Sequence, residues 1–166
     1  MKRFYTYCFV ALFGVVISIL SVSCEKKEDV TVSKSPTITQ GIYGQVLERY
    51  GNWQPVYDPN DTLRGYRPIE REVYVYEYTK DQDFDKVYIY CEYPADKMPK
   101  PLVAKTKSDK NGFYQVQLTP GIYSVFFEEN GNMYANGLDA YGGIMPVSVI
   151  KDSVLHIDLI LNHGVD

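Results

Sequence analysis

The chain has 166 residues and carries 17 lysines and arginines against 21 acidic residues, for a net charge of −4. No basic patch or arginine-rich segment stands out, which argues against a nucleic-acid partner. Its three cysteines and two histidines are scattered, so no clustered metal ligands are read from them. At the start, Met1-Lys2-Arg3 precedes a mostly apolar run over residues 9–20, followed by Ser21-Val22-Ser23-Cys24. Basic residues, a short apolar stretch and small residues before a cut make a secretory signal. The run falls short of the ~20 apolar residues that span a bilayer.

With Cys24 placed just after the small residue, this segment resembles a bacterial lipoprotein signal. In that family the cysteine becomes the new N-terminus and carries the lipids. The resemblance implies removal of residues 1–23, acylation of Cys24 (palmitate among the chains) and a stable membrane anchor, since several acyl chains hold where one does not. Glu25 follows the cysteine, where an inner-membrane retention signal has aspartate. The run Glu25-Lys26-Lys27-Glu28-Asp29 is similar to the charged segment that sends some Gram-negative lipoproteins to the cell surface. The expected location is the outer membrane or cell surface of a Gram-negative bacterium. Whether the domain faces the periplasm stays open.

Residues 24–39 hold few large apolar groups and read as a flexible tether. From Gln40 to Asp166 the spacing predicts one all-β domain. Val73 and Val75 alternate with Tyr74, Tyr76 and Tyr78; Val87, Ile89 and Cys91 alternate with Tyr88 and Tyr90. Tyr114, Val116 and Leu118, then Tyr123, Val125 and Phe127, then Leu155, Ile157, Leu159 and Leu161 continue the period of two. Asn111-Gly112 suits a tight turn with positive φ, and Thr119-Pro120-Gly121 suits a type II turn with Gly121 left-handed. No stretch of the mature chain reads as a helix. The expected fold is an antiparallel β-sandwich of about seven strands, with Val116, Leu118, Tyr123, Val125, Ile157 and Leu159 in the core. Cys91 reads as a buried free thiol on the Val87/Ile89 face.

The stretch Ser108-Asp109-Lys110-Asn111-Gly112-Phe113-Tyr114, followed by a strand and Pro120-Gly121-Ile122-Tyr123, resembles the signature of carboxypeptidase regulatory-like domains. The resemblance implies a transthyretin-like (prealbumin-like) sandwich and no activity, because in carboxypeptidases this domain is an appendage to the catalytic one. Two enzymatic relatives of that fold are testable by reading. The hydroxyisourate hydrolases end in Tyr-Arg-Gly-Ser, whereas this chain ends Asn162-His163-Gly164-Val165-Asp166. Intradiol dioxygenases bind iron through two tyrosines and two histidines. Here His156 and His163 would lie roughly 23 Å apart along a strand, and both read as surface residues.

Asp81, Asp83 and Asp85 with Glu92 resemble parts of a calcium loop, but Lys86 stands where glycine belongs and a strand is expected next. That pattern reads as a solvated acidic loop. No catalytic arrangement, metal or cofactor is therefore expected. The candidate ligand-binding residues are Trp53, Tyr74, Tyr76, Tyr78, Tyr88 and Tyr90. If their strands pair, the tyrosines make an aromatic patch across two strands. It is either a flat platform for sugar rings or peptide, or it is covered by the long segment 48–72 or is simply a cross-strand ladder; that segment carries Trp53, Tyr57, Arg64, Tyr66 and Arg67. The expected function is a non-enzymatic, structural or protein-interaction module of the cell envelope. The alternative is a glycan-binding surface lipoprotein, and exposure of the patch discriminates between them.

Overall fold

The computed structural model describes residues 34–51, 64–88 and 91–162. Among these, eleven strands build two sheets that face each other as an all-β sandwich. The first sheet is organised on β1 (Gly41–Tyr50). One flank of β1 pairs antiparallel with β2 (Gly65–Pro68) and β6 (Phe113–Gln117); the other pairs parallel with β10 (Val154–His156) and β11 (Leu159–Asn162). The second sheet contains β3 (Glu72–Glu77), β4 (Glu92–Pro94), β5 (Leu102–Lys107), β7 (Gly121–Glu129), β8 (Asn132–Tyr134) and β9 (Pro146–Val149), with β3 and β7 at its centre.

The pairing is antiparallel except where β1 meets β10 and β11. Those two keep one register against β1, Gly41 opposite Val154 and Val46 opposite Leu159. The strand expected across residues 154–161 is therefore interrupted at Ile157 and Asp158. There the Ile157 amide donates to the Tyr43 carbonyl at 2.8 Å, and Asp158 Oδ1 accepts from the Gln45 amide at 2.8 Å. Gly44 makes this close approach possible, because a Cβ there would strike the Ile157 carbonyl oxygen. Ile157 is consequently half-buried, while Leu159 and Leu161 are fully inside.

Alternation puts Val73, Val75, Val125 and Phe127 of the second sheet against Ile42, Val46, Leu159 and Leu161 of the first. Val116, Leu118 and Tyr123 join the same buried cluster. Full burial of a valine or leucine contributes about 1.5–3 kcal/mol, so this layer supplies most of the driving force for the sandwich.

Signature residues serve the fold. Ser108 is buried, accepting from the Arg71 amide at 2.8 Å and donating to the Ile69 carbonyl at 2.9 Å. The buried Tyr114 hydroxyl donates to the Ile157 carbonyl at 2.7 Å, and the Tyr123 hydroxyl to the Thr119 carbonyl at 3.0 Å. Gly112 takes φ 74° as expected. Gly121 does not take the expected left-handed backbone; it opens β7, and a Cβ there would lie 3.0 Å from the Tyr123 hydroxyl.

Two further expectations are corrected. Residues 87, 88 and 91 are not in a strand. The chain instead makes a short 3-10 turn over Asp81–Asp83, leaves Val87 exposed, and turns at Cys91 with φ 61°. Cys91 is half-buried, and burial pushes its thiol pKa up. Residues 34–40, expected mostly within the tether, lie along β6. Lys34 Nζ sits 3.3 Å from Asp109 and 4.8 Å from the centre of the Phe113 ring. The Thr37 amide and hydroxyl bond the Gln115 carboxamide, and Gln40 Nε2 donates to the Leu118 carbonyl at 2.7 Å. No helix among the described residues is long and apolar enough to cross a membrane.

Candidate functional site

The candidate patch starts on the outer face of the second sheet. Tyr74 and Tyr76 alternate with the core valines on β3, and Phe126 stands directly opposite Tyr74 on β7. The rings of Tyr74 and Tyr76 lie near-parallel with centres 6.5 Å apart. Tyr88 comes to the same face without a strand: its ring packs on Phe84 at 5.4 Å and on Tyr93 at 5.8 Å. Tyr93 and Tyr76 both meet Phe126 edge-on, at 5.6 and 5.7 Å. Tyr76, Tyr93, Phe126, Met133, Ala135 and Ile144 form a second buried cluster, with Tyr74, Phe84, Tyr88 and Met98 packed against it.

The layer is closed at its centre, while Tyr74 and Tyr88 are half-buried. Tyr76 is 6% exposed and Tyr93 4%. Among the described residues the packing partners come from the chain between β3 and β5, with Phe84, Tyr88, Tyr93 and Met98. Of the long segment 48–72, the described β2 pairs with the end of β1 in the other sheet, where Arg67 pairs with Glu48 at 2.7 Å; residues 52–63 lie outside the described residues. Trp53 and Tyr90, like Cys24, lie outside the described residues. Burial raises the phenol pKa of Tyr76 and, well beyond its ordinary range, that of Tyr93, whose hydroxyl reaches Asp81 at 3.2 Å. Burial also raises Tyr88.

Tyr78 leaves the patch. Its hydroxyl donates to Asp139 Oδ2 at 2.8 Å, and this bond raises its pKa. The bond joins a turn that repeats the one in the signature. Asp109 Oδ1 accepts from the amides of Asn111 and Phe113 at 2.9 and 3.1 Å. Asp139 Oδ1 accepts from those of Tyr141 and Gly143 at 2.8 and 2.7 Å. In both, the aspartate amide bonds the carbonyl four residues on at 2.9 Å, and the fourth residue is a glycine, with φ 74° at Gly112 and 78° at Gly142. The shared sequence is Asp-x-x-Gly. Both carboxyls are held below the usual aspartate range. For Asp139 the Gly143 amide contributes most; for Asp109 burial opposes the shift, and the Asn111 amide and Lys34 outweigh it.

The acidic run of residues 81–85 does not converge. Asp81 accepts from Tyr93, Asp83 from the Lys80 amide at 2.9 Å with Lys100 at 3.6 Å, and Asp85 from Tyr88 at 3.3 Å. Among the described residues no group of three His, Cys, Asp or Glu side chains is placed to hold a metal. His156 is surface-exposed, 3.2 Å from Asp158, its ring tilted against Tyr43 with centres 4.9 Å apart; His163 lies outside the described residues. A cleft of about 310 Å³ at one end of the second sheet is walled by Arg71, Lys107 and glutamates 70, 72, 128 and 129. Its charges are matched internally: Arg71 bonds the buried Glu129 at 2.6 Å, Lys105 pairs with Glu72 at 3.3 Å, and Tyr74 bonds Glu128 at 3.3 Å.

No family model matches the chain, and neither a curated protein nor a solved structure does.

Proposed function

We propose that the protein is a lipid-anchored, non-catalytic module of the cell envelope that works by binding another envelope protein. The observation that carries this reading is the closure at the centre of the tyrosine layer, with Tyr76 6% exposed beside Phe126. Ring stacking on a sugar needs an open aromatic face; Tyr76 is buried, and Tyr74 and Tyr88 are half-buried against the same cluster. That favours the structural or protein-interaction role over the glycan-binding alternative. The order of basic, apolar and small residues before Cys24 supports the anchor and an outer-membrane or surface location. The structural use of Ser108, Asp109, Tyr114 and Tyr123 is in keeping with a carboxypeptidase regulatory-like domain acting as a scaffold.

The anchor is tested by mass spectrometry of the protein taken from its native membranes. The expected species begins at an acylated Cys24; a retained Met1 or an unmodified N-terminus overturns it. The binding role is tested on paired arrays of glycans and envelope proteins. Binding confined to glycans, and lost on Tyr76→Ala in a folded variant, would reverse the preference.

A further inference from the structure

Residues 34–40 meet β6 and its flanking turns at three points. Lys34 Nζ sits 3.3 Å from Asp109 and 4.8 Å from the centre of the Phe113 ring. The Thr37 amide donates to Gln115 Oε1 at 2.9 Å, and Gln115 Nε2 donates back to the Thr37 hydroxyl at 2.8 Å. Gln40 Nε2 donates to the Leu118 carbonyl at 2.7 Å, and its Oε1 accepts from the Asp152 amide at 3.1 Å. The three holding residues recur at every third position, as on one face of an extended polyproline-type segment, and Pro36 favours that conformation. Between them Ser35 and Thr39 are exposed, and Pro36 and Ile38 are only half-buried. The core between the sheets contains none of these residues, so the contacts can part without opening it.

The segment starts at the Asp109 turn and ends at Leu118, so it runs the length of β6 in the same sense. The chain then reverses into β1, whose Gly41 lies opposite Gln117 and donates its amide to the Ser153 carbonyl at 3.0 Å. The first strand therefore begins at the Leu118–Ser153 end of the sandwich, whereas the chain leading to it leaves from the opposite, Asp109 end. Ten residue steps join Lys34 to Cys24, at most about 36 Å of chain. Release of the segment would add the six steps from Lys34 to Gln40. The point of departure would move across the molecule, by about 19 Å at the polyproline rise. The Lys34 and Thr37 contacts are exposed, and exposed polar contacts contribute little singly. Three in one short segment reinforce one another, because each holds the next near its partner.

We propose that residues 34–40 are an orienting strap. Docked on β6, the strap turns the Asp109 end of the domain toward the membrane and presents the Leu118–Ser153 end outward; its release reverses the two. This rests on the lipid-anchor reading above. The test uses the mature, acylated full chain in phosphatidylcholine vesicles that carry a headgroup-linked fluorescence acceptor. In a Cys91→Ser background, a donor is attached at Lys110→Cys or at Lys151→Cys, both exposed lysines, one at each end. The expected result is stronger transfer from position 110 than from 151. In Lys34→Ala/Thr37→Ala/Gln115→Ala the order should reverse, with a melting point within about 3 °C of the parent. Lys34→Ala alone, which removes one contact, should narrow the difference. Equal transfer at the two positions in the parent, stronger transfer from 151, or an order unmoved by the triple variant would overturn the proposal. So would a melting point lowered by about 5 °C or more, since the contacts would then belong to the core. Amide exchange in the same chains separates the strap from the anchor. Thr37, bonded to Gln115, should exchange at least about tenfold faster in the triple variant; an equal rate in variant and parent overturns the strap itself. A chain that does not float with the vesicles while Thr37 stays protected sinks the anchor, and the orienting role with it, and leaves the docked segment standing.

Discussion

Between the sheets, Val73, Val75, Val125 and Phe127 pack against Ile42, Val46, Leu159 and Leu161; outside the second sheet, Tyr76 and Phe126 pack against Tyr93, Met133 and Ile144. The same two strands, β3 and β7, serve both layers from opposite faces. The inner layer is strand against strand, aliphatic, and fixed by register. The outer layer is largely aromatic, gathers side chains from β3, β4, β7 and β8 with the irregular chain at Phe84, Tyr88 and Ile144, and is finished by hydroxyl bonds such as Tyr93 to Asp81. A face that looks free when strands are read one at a time is occupied once the connections fold back.

If both layers are true cores, truncations in either should be costly. Phe127→Ala should lower the unfolding free energy by about 4 kcal/mol, through lost burial and the cavity left behind. Phe126→Ala should cost about 3–4 kcal/mol, and this sharpens the comparison. A cost below about 1 kcal/mol in urea unfolding would show that the outer layer is a loose cover that relaxes around the gap. Val125→Ala, removing less volume from the inner layer, should cost about 1–3 kcal/mol with an unchanged denaturant slope. Tyr93→Phe keeps the ring and loses one hydroxyl bond, so about 1 kcal/mol is expected.

The smallest effect concerns pH and the twin turns. Asp109 and Asp139 have pKa values held below the usual carboxylate range. Their contribution is therefore present above the unfolded aspartate value of about 3.9 and is lost as pH falls through the lower folded value. Asp109→Asn and Asp139→Asn should each flatten the acid side of the stability–pH curve. An unchanged acid limb in both would break the assignment of the turns as carboxylate-held.

The inner layer was legible because strand side chains alternate and burial selects one parity: Val116, Leu118, Val125 and Leu159 all lie where alternation puts them. The run Tyr123 to Phe127 is buried at every position, the mark of a strand covered on both faces. Alternation at Val125 therefore said nothing against burial of Phe126. The candidate site was less legible because its cover is not periodic. Residues 81–88 alternate in hydropathy at their end, yet the chain turns at Cys91 and folds Tyr88 over Tyr93. Cooperation between Phe84, Tyr88 and Tyr93 depends on that turn, and no sequence spacing encodes it. The interruption at Ile157 was hidden for a similar reason: it depends on Gly44, distant in sequence and adjacent across the sheet. The repeated Asp-x-x-Gly was readable and needed only a comparison of the chain with itself.

The central claim is that the tyrosine stripe is structure and that Tyr141, 78% exposed in the Asp139 turn, is not. Urea unfolding of Tyr76→Ala beside Tyr141→Ala tests it most directly. The account predicts a loss of about 3 kcal/mol for the first and a change within about 0.5 kcal/mol for the second. Equal stability of Tyr76→Ala and the parent would contradict it, because a buried ring packed on Phe126 cannot be removed without cost.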